Sequence, residues 1–151
     1  MKAALRSAGA GILATDLVMS GEVENAFCAI RPPGHHAEAD KAMGFCFFNN
    51  VAVAARHALE AHGLKRVAII DFDVHHGNGT ENIFKDDPRV LMVSIFQHPF
   101  YPYSGESLPS RAFWPNSAIF FSMSAKLIWS ALRRIGTTRP RGEPTAMPMS
   151  K

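Results

Sequence analysis

The chain has 151 residues, of which 47% are hydrophobic, so it can bury one core of ordinary size. No apolar run is long enough to cross a bilayer and the N-terminus lacks the order of a secretory signal, so we expect no membrane partner. The two cysteines, Cys28 and Cys46, are too few for a disulfide framework or a cysteine-rich zinc site, and indicate reduced thiols in a cytoplasmic protein.

The charge is distributed unevenly along the chain. The net charge is +3, but residues 1–106 hold 9 Lys/Arg against 12 Asp/Glu, together with all seven histidines. Residues 107–151 hold 7 Lys/Arg against one acid, Glu143. This basic segment lacks the dense Lys and Arg clusters typical of nucleic-acid binding, so we expect no such partner and interpret the change as a domain boundary.

Helical and extended patterns alternate over the first two thirds of the sequence. The predicted elements are a helix over 3–20, a strand over 26–30, a helix capped by Asn49 or Asn50 and ended by Gly63, a strand over 65–71, a short helix over 80–84 and a strand over 90–95. This order predicts an α/β fold, a three-layer parallel sheet with helices on both faces. Three strands are few for that architecture, so we expect the domain over 1–106 to be incomplete.

After residue 106 the alternation stops. Residues 107–151 contain apolar clusters without Asp or His, and a helix over 124–135 is the one regular element that the pattern favours. The Pro- and Arg-containing run over 137–144 predicts disorder. We therefore expect a basic tail, partly disordered, that does not continue the domain.

The most informative run covers residues 71–79, Asp-Phe-Asp-Val-His-His-Gly-Asn-Gly, directly after a predicted buried strand. Side chains two apart on a strand share a face, so Asp71, Asp73 and His75 should converge. A mixed set of oxygen and nitrogen donors suits zinc, although a helix cap or a solvated turn is the simpler interpretation of such a short motif. Its place at the carboxyl end of a parallel strand favours a ligand site.

A second histidine pair, His35 and His36, follows the predicted strand over 26–30. Pro32 and Pro33 precede it and stiffen the loop. Standing alone, the pair would be interpreted as exposed loop histidines. Because two strand-end loops each carry His-His, and one of them is rich in carboxylates, we expect one shared site.

Three motifs together resemble the histone deacetylase superfamily: Pro-Pro-Gly-His-His-Ala over 32–37, Gly-Phe-Cys-Phe-Phe-Asn-Asn over 44–50, and Asp-Phe-Asp-Val-His-His-Gly-Asn-Gly-Thr over 71–80. Arg31 directly before the first motif and Thr80 at the end of the third motif look most like the class II, acetoin-utilisation and acetylpolyamine amidohydrolase branch. The likeness runs from the first helix to residue 105, as an internal fragment of the family's domain.

This resemblance implies an arginase-like fold and hydrolysis of an N-acetyl amide, in acetylated lysine or an acetylated polyamine, to an amine and acetate. In such enzymes zinc polarises the acetyl carbonyl and lowers the pKa of its bound water. By position, Asp73 and His75 resemble two of the three zinc ligands. His35 and His36 resemble the tandem pair that handles the proton of the attacking water and of the departing amine.

The resemblance also implies supporting roles. Asp71 corresponds to the carboxylate that orients His35, and Asn78 to the neutral partner of His36. Phe45, beside Gly44, resembles one wall of the aromatic tunnel that grips the acyl-amine stem, whereas plain core packing is the alternative for an aromatic residue. A potassium site of the family is matched by five residues, Asp71, Asp73, His75, Ser94 and Ile95, mostly through main-chain oxygens.

The sequence departs from the family pattern in its second part. The family takes its third zinc ligand from a downstream aspartate and its oxyanion-stabilising group from a later tyrosine, but residues 107–151 contain neither Asp nor Tyr. Tyr101 and Tyr103 come too early to substitute by motif, and the family's opening strand and substrate-rim loops are missing. Two protein ligands hold zinc weakly, so we expect a truncated and catalytically impaired chain.

Two other hypotheses stay open at this point. The chain is alternatively a degenerate, non-catalytic metal-binding or interaction module that uses the basic tail as its surface. It is alternatively another arginase-like metallohydrolase, a class that the twin His-His loops favour less than a deacetylase.

Overall fold

A computed structural model describes residues 1–105, and the elements lie in the order α1 (Lys2–Met19), α2 (Asn50–Glu60), β1 (Val67–Asp71), α3 (Asn78–Phe84) and β2 (Val90–Ser94). All three helices predicted within this range are present, as are its last two strands. The helix predicted over 124–135 and the disorder predicted over 137–144 lie outside the described residues. No helix of residues 1–105 is both long and apolar enough to span a membrane.

The sheet consists of β1 and β2, which pair in parallel with Val67 opposite Val90 and Asp71 opposite Ser94. Helix α2 packs against β1, α3 packs against β2, and α1 packs on α2. A parallel sheet covered by helices is the predicted α/β arrangement in incomplete form. The register places the ends of both strands together, which is where the predicted site lies.

The strand predicted over 26–30 is not formed, so the sheet has two strands rather than three. Phe27 in this segment is 93% exposed, and Cys28 makes a weak contact from its Sγ to the Ala10 carbonyl oxygen at 3.5 Å. A strand requires a hydrogen-bonded neighbour, and within residues 1–105 no other strand pairs with this segment. Its apolar character was a correct observation, but the element inferred from it was wrong.

Helix α2 supplies the centre of the buried core. Its buried residues pack with residues of both strands and of α3, namely Ala52, Ala55, Leu59, Ile69, Phe84 and Val90. The helix begins after Asn49, whose side-chain oxygen accepts a hydrogen bond from the Ala52 backbone N–H at 3.1 Å. Asn49 is therefore the cap, one of the two candidates that the sequence offered, and such a cap is worth about 1 kcal/mol.

The same buried cap residue connects α2 to the loop that carries the histidine pair. The Asn49 amide donates to the Ala37 carbonyl oxygen and to the Thr80 hydroxyl oxygen, each at 3.1 Å. Asn50 donates to the Ser7 hydroxyl and to the Pro32 carbonyl oxygen, at 3.0 and 3.1 Å. The polar residues at the start of α2 therefore fix both ends of the loop over 32–37.

Candidate active site

His35 is held through its ring and through its backbone. Its Nδ1 lies 2.8 Å from Asp71 Oδ2, at the end of β1. Its carbonyl oxygen accepts hydrogen bonds from the backbone N–H groups of Gly79 and Thr80, at 3.0 and 3.2 Å. Since both donors belong to the first turn of α3, the helix start satisfies its otherwise unpaired N–H groups by binding the histidine loop.

His36 is buried and is bonded to Asn78 at the start of α3. Its Nδ1 lies 2.8 Å from Asn78 Oδ1, and the Asn78 amide nitrogen donates to the Glu38 carboxylate at 2.8 Å. Because a carboxylate accepts and does not donate, Glu38 fixes the orientation of the Asn78 amide. Asn78 therefore presents its oxygen to His36, which makes Nδ1–H the donor and leaves Nε2 of the neutral ring with a free lone pair.

The two imidazoles have oppositely shifted pKa values. Burial lowers the pKa of His35, but the hydrogen bond and charge of Asp71 and the charge of Asp73 outweigh it, so the pKa is raised above 6.5. Burial also lowers the pKa of His36, where the bond to neutral Asn78 compensates only in part and His35 and His75 lower it further. Near neutral pH, His36 is thus the unprotonated member and His35 the more readily protonated one.

Asp73 and His75 converge as predicted, but by a different backbone path. Strand β1 ends at Asp71, and the following residues form bends. The Asp73 backbone N–H donates to Asp71 Oδ1 at 3.2 Å, and the His75 N–H donates to Asp73 Oδ1 at 2.8 Å. Successive side-chain-to-backbone hydrogen bonds, and not an extended strand, hold this segment.

The donor chemistry at this turn fits a zinc ion in part. Asp73 Oδ1 and His75 Nδ1 lie 3.0 Å apart, close to the separation of about 3.3 Å that bonds of about 2.0–2.1 Å imply in a tetrahedral site. The two side chains are 49% and 44% exposed. Burial, largest in effect, raises the pKa of Asp73, but hydrogen bonds and charges of His75 and His35 lower it overall, so the carboxylate is ionised.

Gly44 and Phe45 form a tight turn against the buried face of His36. Their φ angles are +56° and +64°, and the Cys46 N–H donates to the Met43 carbonyl oxygen at 2.9 Å. A Cβ on Gly44 would lie 2.7 Å from His36 Cγ, so only glycine allows this approach. Phe45 is 90% exposed, which contradicts core packing within the described residues.

The end of β2 carries an unpaired polar atom. Ser94 Oγ is buried and has no hydrogen-bond partner among residues 1–105. Its neighbour Ile95 donates its N–H to the Asp71 carbonyl oxygen at 2.9 Å. A buried hydroxyl without a partner is costly, and a cation coordinated by its oxygen would offset that cost.

Two residues of the site were missed by sequence reasoning. Tyr101 lies edge-on to the rings of His36 and His75, with centroid distances of 5.0 and 6.2 Å. Glu38 orients Asn78. Glu38 belongs to the same loop as the histidine pair, which was the available signal, whereas no motif marked Tyr101.

Of the predicted residues, the structure brings together His35, His36, Asp71, Asp73, His75 and Asn78, with Gly44 against His36. His76, the second histidine of its pair, is turned away from them. It is 5% exposed, with Nδ1 2.9 Å from Ser104 Oγ and Nε2 3.0 Å from Glu81 Oε2.

Comparison with known proteins identifies the family to which this chain belongs. Residues 1–112 match the model of the histone deacetylase domain. The chain is 51% identical over 107 residues to histone deacetylase 5 of Arabidopsis thaliana, covering 67% of this chain and 16% of that protein. It is 48% identical over 104 residues to the human polyamine deacetylase HDAC10, covering 67% and 16%. A histone deacetylase-like amidohydrolase of Pseudomonas aeruginosa is 52% identical over 101 residues, covering 66% and 27%.

The crystal structure of the HDA15 HD domain superposes with a TM-score of 0.66 at 48% identity, covering 68% of this chain and 30% of that one. The chain therefore belongs to the histone deacetylase family. It spans between 16% and 30% of the length of these four relatives.

Proposed function

We propose that this chain carries the acid–base half of a zinc-dependent deacetylase site, which hydrolyses an N-acetyl amide to an amine and acetate. The observation that carries the proposal is the pair of adjacent imidazoles with different partners. His35 is bonded to the Asp71 carboxylate and His36 to the neutral Asn78 amide. One member is thereby suited to hold a positive charge and the other to accept a proton.

His36 acts as the general base and then as the general acid. Its unprotonated Nε2 takes a proton from the attacking water as the water oxygen adds to the acetyl carbon. The same nitrogen gives that proton to the amine when the carbon–nitrogen bond breaks. His35, which Asp71 makes more basic, stabilises the negative charge that develops on the former carbonyl oxygen.

Asp73 and His75 are the residues that would hold zinc, which when bound polarises the acetyl carbonyl and acidifies water. In the 151 residues, positions 107–151 add no Asp, His or Tyr to this pair. Two protein ligands bind zinc less firmly than the three of a typical catalytic site. We therefore propose that the 151-residue chain is catalytically impaired relative to its longer relatives.

The substrate is proposed to be an acetylated lysine or an acetylated polyamine. Relatives of both kinds, a histone deacetylase and a polyamine deacetylase, match the chain at similar identity. Phe45 is exposed and directly follows Gly44, which packs against His36, so we propose that its ring contacts the methylene stem that these substrates share. We also propose that potassium occupies the end of β2, where Ser94 Oγ has no hydrogen-bond partner within residues 1–105.

The test is acetate release from an acetyl-lysine peptide and from an N-acetylpolyamine by the 151-residue chain, with zinc titrated in. We expect slow, zinc-dependent release that is lost in His36→Ala and kept in His98→Ala, the matched control at a histidine with no proposed role. Release that persists in His36→Ala would refute the assignment of the base. Turnover equal to that of a full-length relative would refute the impairment, and urea release from an arginase substrate would favour the alternative hydrolase. The interaction-module alternative depends on residues 107–151, outside the described part of the chain.

A further inference from the structure

A second cluster of metal-binding side chains lies on the helices, among residues not used by the proposed reaction. Asp16 belongs to α1, His57 belongs to α2, and His62 follows α2. His57 Nε2 and His62 Nε2 lie 2.6 and 2.7 Å from the same oxygen, Asp16 Oδ1. The three ligand atoms all lie within 4.8 Å of one another, and within residues 1–105 this is the single three-ligand group that can hold a metal ion.

We propose that Asp16, His57 and His62 form a second binding site for a divalent transition-metal ion, distinct from the Asp73–His75 turn. Two imidazole nitrogens and one carboxylate oxygen are a donor set that zinc accepts, with water in the fourth position. In a tetrahedral site with bonds of about 2.0–2.1 Å, ligand atoms lie about 3.3 Å apart. The observed oxygen–nitrogen distances therefore open by less than 1 Å when a metal takes the place of the two hydrogen bonds and each neutral imidazole carries its proton on Nδ1.

The geometry of the rings supports this exchange. The imidazoles of His57 and His62 are nearly perpendicular, at 85°, with centroids 5.2 Å apart. Both present Nε2 to one point, although they approach it from different segments of the chain. Their side chains are 24% and 25% exposed, so the ligands are partly ordered by packing while an ion can still reach them.

The helix ends add an electrostatic argument. Asp16 lies in the last turn of α1, which contains no basic residue, and His57 lies in the last turn of α2. The C-terminal ends of helices carry partial negative charge, so an ionised carboxylate there is unfavourable and a cation is favourable. A divalent ion at this point offsets the Asp16 charge and faces the negative ends of both helices.

The experiment isolates this cluster from the active-site turn. In the full 151-residue chain, Asp73→Asn with His75→Gln removes the other ligand pair, and zinc content is measured by equilibrium dialysis and elemental analysis. We expect this double variant to retain one zinc per chain. Adding His57→Gln, His62→Gln or Asp16→Asn should lower zinc affinity at least about tenfold, since even loss of a supporting residue costs about 10- to 100-fold.

The control is His98→Gln in the same background, which removes one histidine outside the cluster and should leave the bound zinc unchanged. Far-UV circular dichroism of every variant without metal separates loss of a ligand from loss of fold. If the Asp73→Asn/His75→Gln protein binds no zinc, the proposal is overturned whatever the further variants show. The three residues would then only form hydrogen bonds that connect the two helices. Equal zinc binding with and without His62→Gln and His57→Gln would overturn it too. Neither result depends on deacetylase activity.

Discussion

Gly79 is the position at which one added methyl group should separate helix α3 from the histidine loop. A Cβ at this residue would lie 2.5 Å from the Ala37 carbonyl carbon and 2.6 Å from the His36 carbonyl carbon, with the Ala37 oxygen closer still. Ordinary contacts at such a Cβ are 3.4–4 Å, and the obstructing atoms are backbone. In Gly79→Ala the loop must therefore move by about 1 Å, because packed backbone cannot rotate away.

The magnitude follows from the bonds that this movement breaks. The Gly79 and Thr80 N–H groups both donate to the His35 carbonyl oxygen, and losing two such bonds costs about 2 kcal/mol at about 1 kcal/mol each. Overpacking adds about 1–2 kcal/mol. Alanine gains up to about 1 kcal/mol over glycine inside a helix, so we expect Gly79→Ala to lower the free energy of unfolding by about 2–3 kcal/mol.

Urea unfolding followed by circular dichroism measures this change, and α1 offers the matched control. Gly9 lies within α1, and an added Cβ there has nothing within 4 Å. Gly9→Ala should therefore raise the free energy of unfolding by about 0.5–1 kcal/mol, the opposite sign for the same substitution. If Gly79→Ala is as stable as Gly9→Ala, the close packing of α3 on the histidine loop is refuted.

Three further predictions follow from single interactions. Asp71→Asn should lower the pKa of His35 in an NMR titration, and an unchanged pKa would contradict the bond to Asp71. Because folding raises the pKa of His35, the stability that this bond adds is fully present below pH 6.5. It is lost as the pH rises through the raised pKa of the folded state. The Arg89 hydrogen bond holds the pKa of Asp87 at about 2 instead of 3.8, so the stability it adds is present above 3.8 and lost as pH falls through about 2. Asp87→Asn should lower the free energy of unfolding by about 1 kcal/mol at pH 7, a value reduced because solvent screens the exposed arginine, and should not change it below pH of about 2. An equal loss at both pH values in denaturant unfolding would contradict this prediction. Phe45→Gly should be about 1 kcal/mol more stable than Phe45→Ala, because φ of +64° strains alanine only, while both should weaken substrate binding equally; equal stability would argue against the left-handed backbone.

The parts of the fold that were predictable are those that local sequence determines. The start of α2 could be placed because Asn49 caps the helix with its own side chain, three residues from the N–H that it binds. The strand predicted over 26–30 failed because a strand depends on a neighbour elsewhere in the chain, and apolar residues alone do not supply one. The sequence pattern thus identified the helices, β1 and β2, and it could not determine the number of strands.

The candidate site shows the same division. The meeting of His35 with Asp71 and of His36 with Asn78 was inferred from motif positions, and the described structure places both pairs at 2.8 Å. The convergence of Asp73 with His75 was expected from strand alternation and arises instead from turns closed by side-chain oxygens. The placement of Tyr101 depends on the chain path after β2, for which no local signal exists.

The interactions that stabilise the fold also determine the protonation chemistry of the proposed site. The histidine loop is fixed from two sides, by Asn49 at the start of α2 and by the first turn of α3, so the direction of each imidazole is set by buried hydrogen bonds. The Asp73–His75 turn is held mainly by its own short-range bonds and is about half exposed. It follows that the proposed acid–base half is preorganised by folding, whereas the proposed metal half would require an ion or a further ligand to complete it. A chain with this division should keep the separate pKa values of His35 and His36 even where zinc binds weakly, because the partners that separate them, Asp71 and Asn78, belong to the folded core of the site.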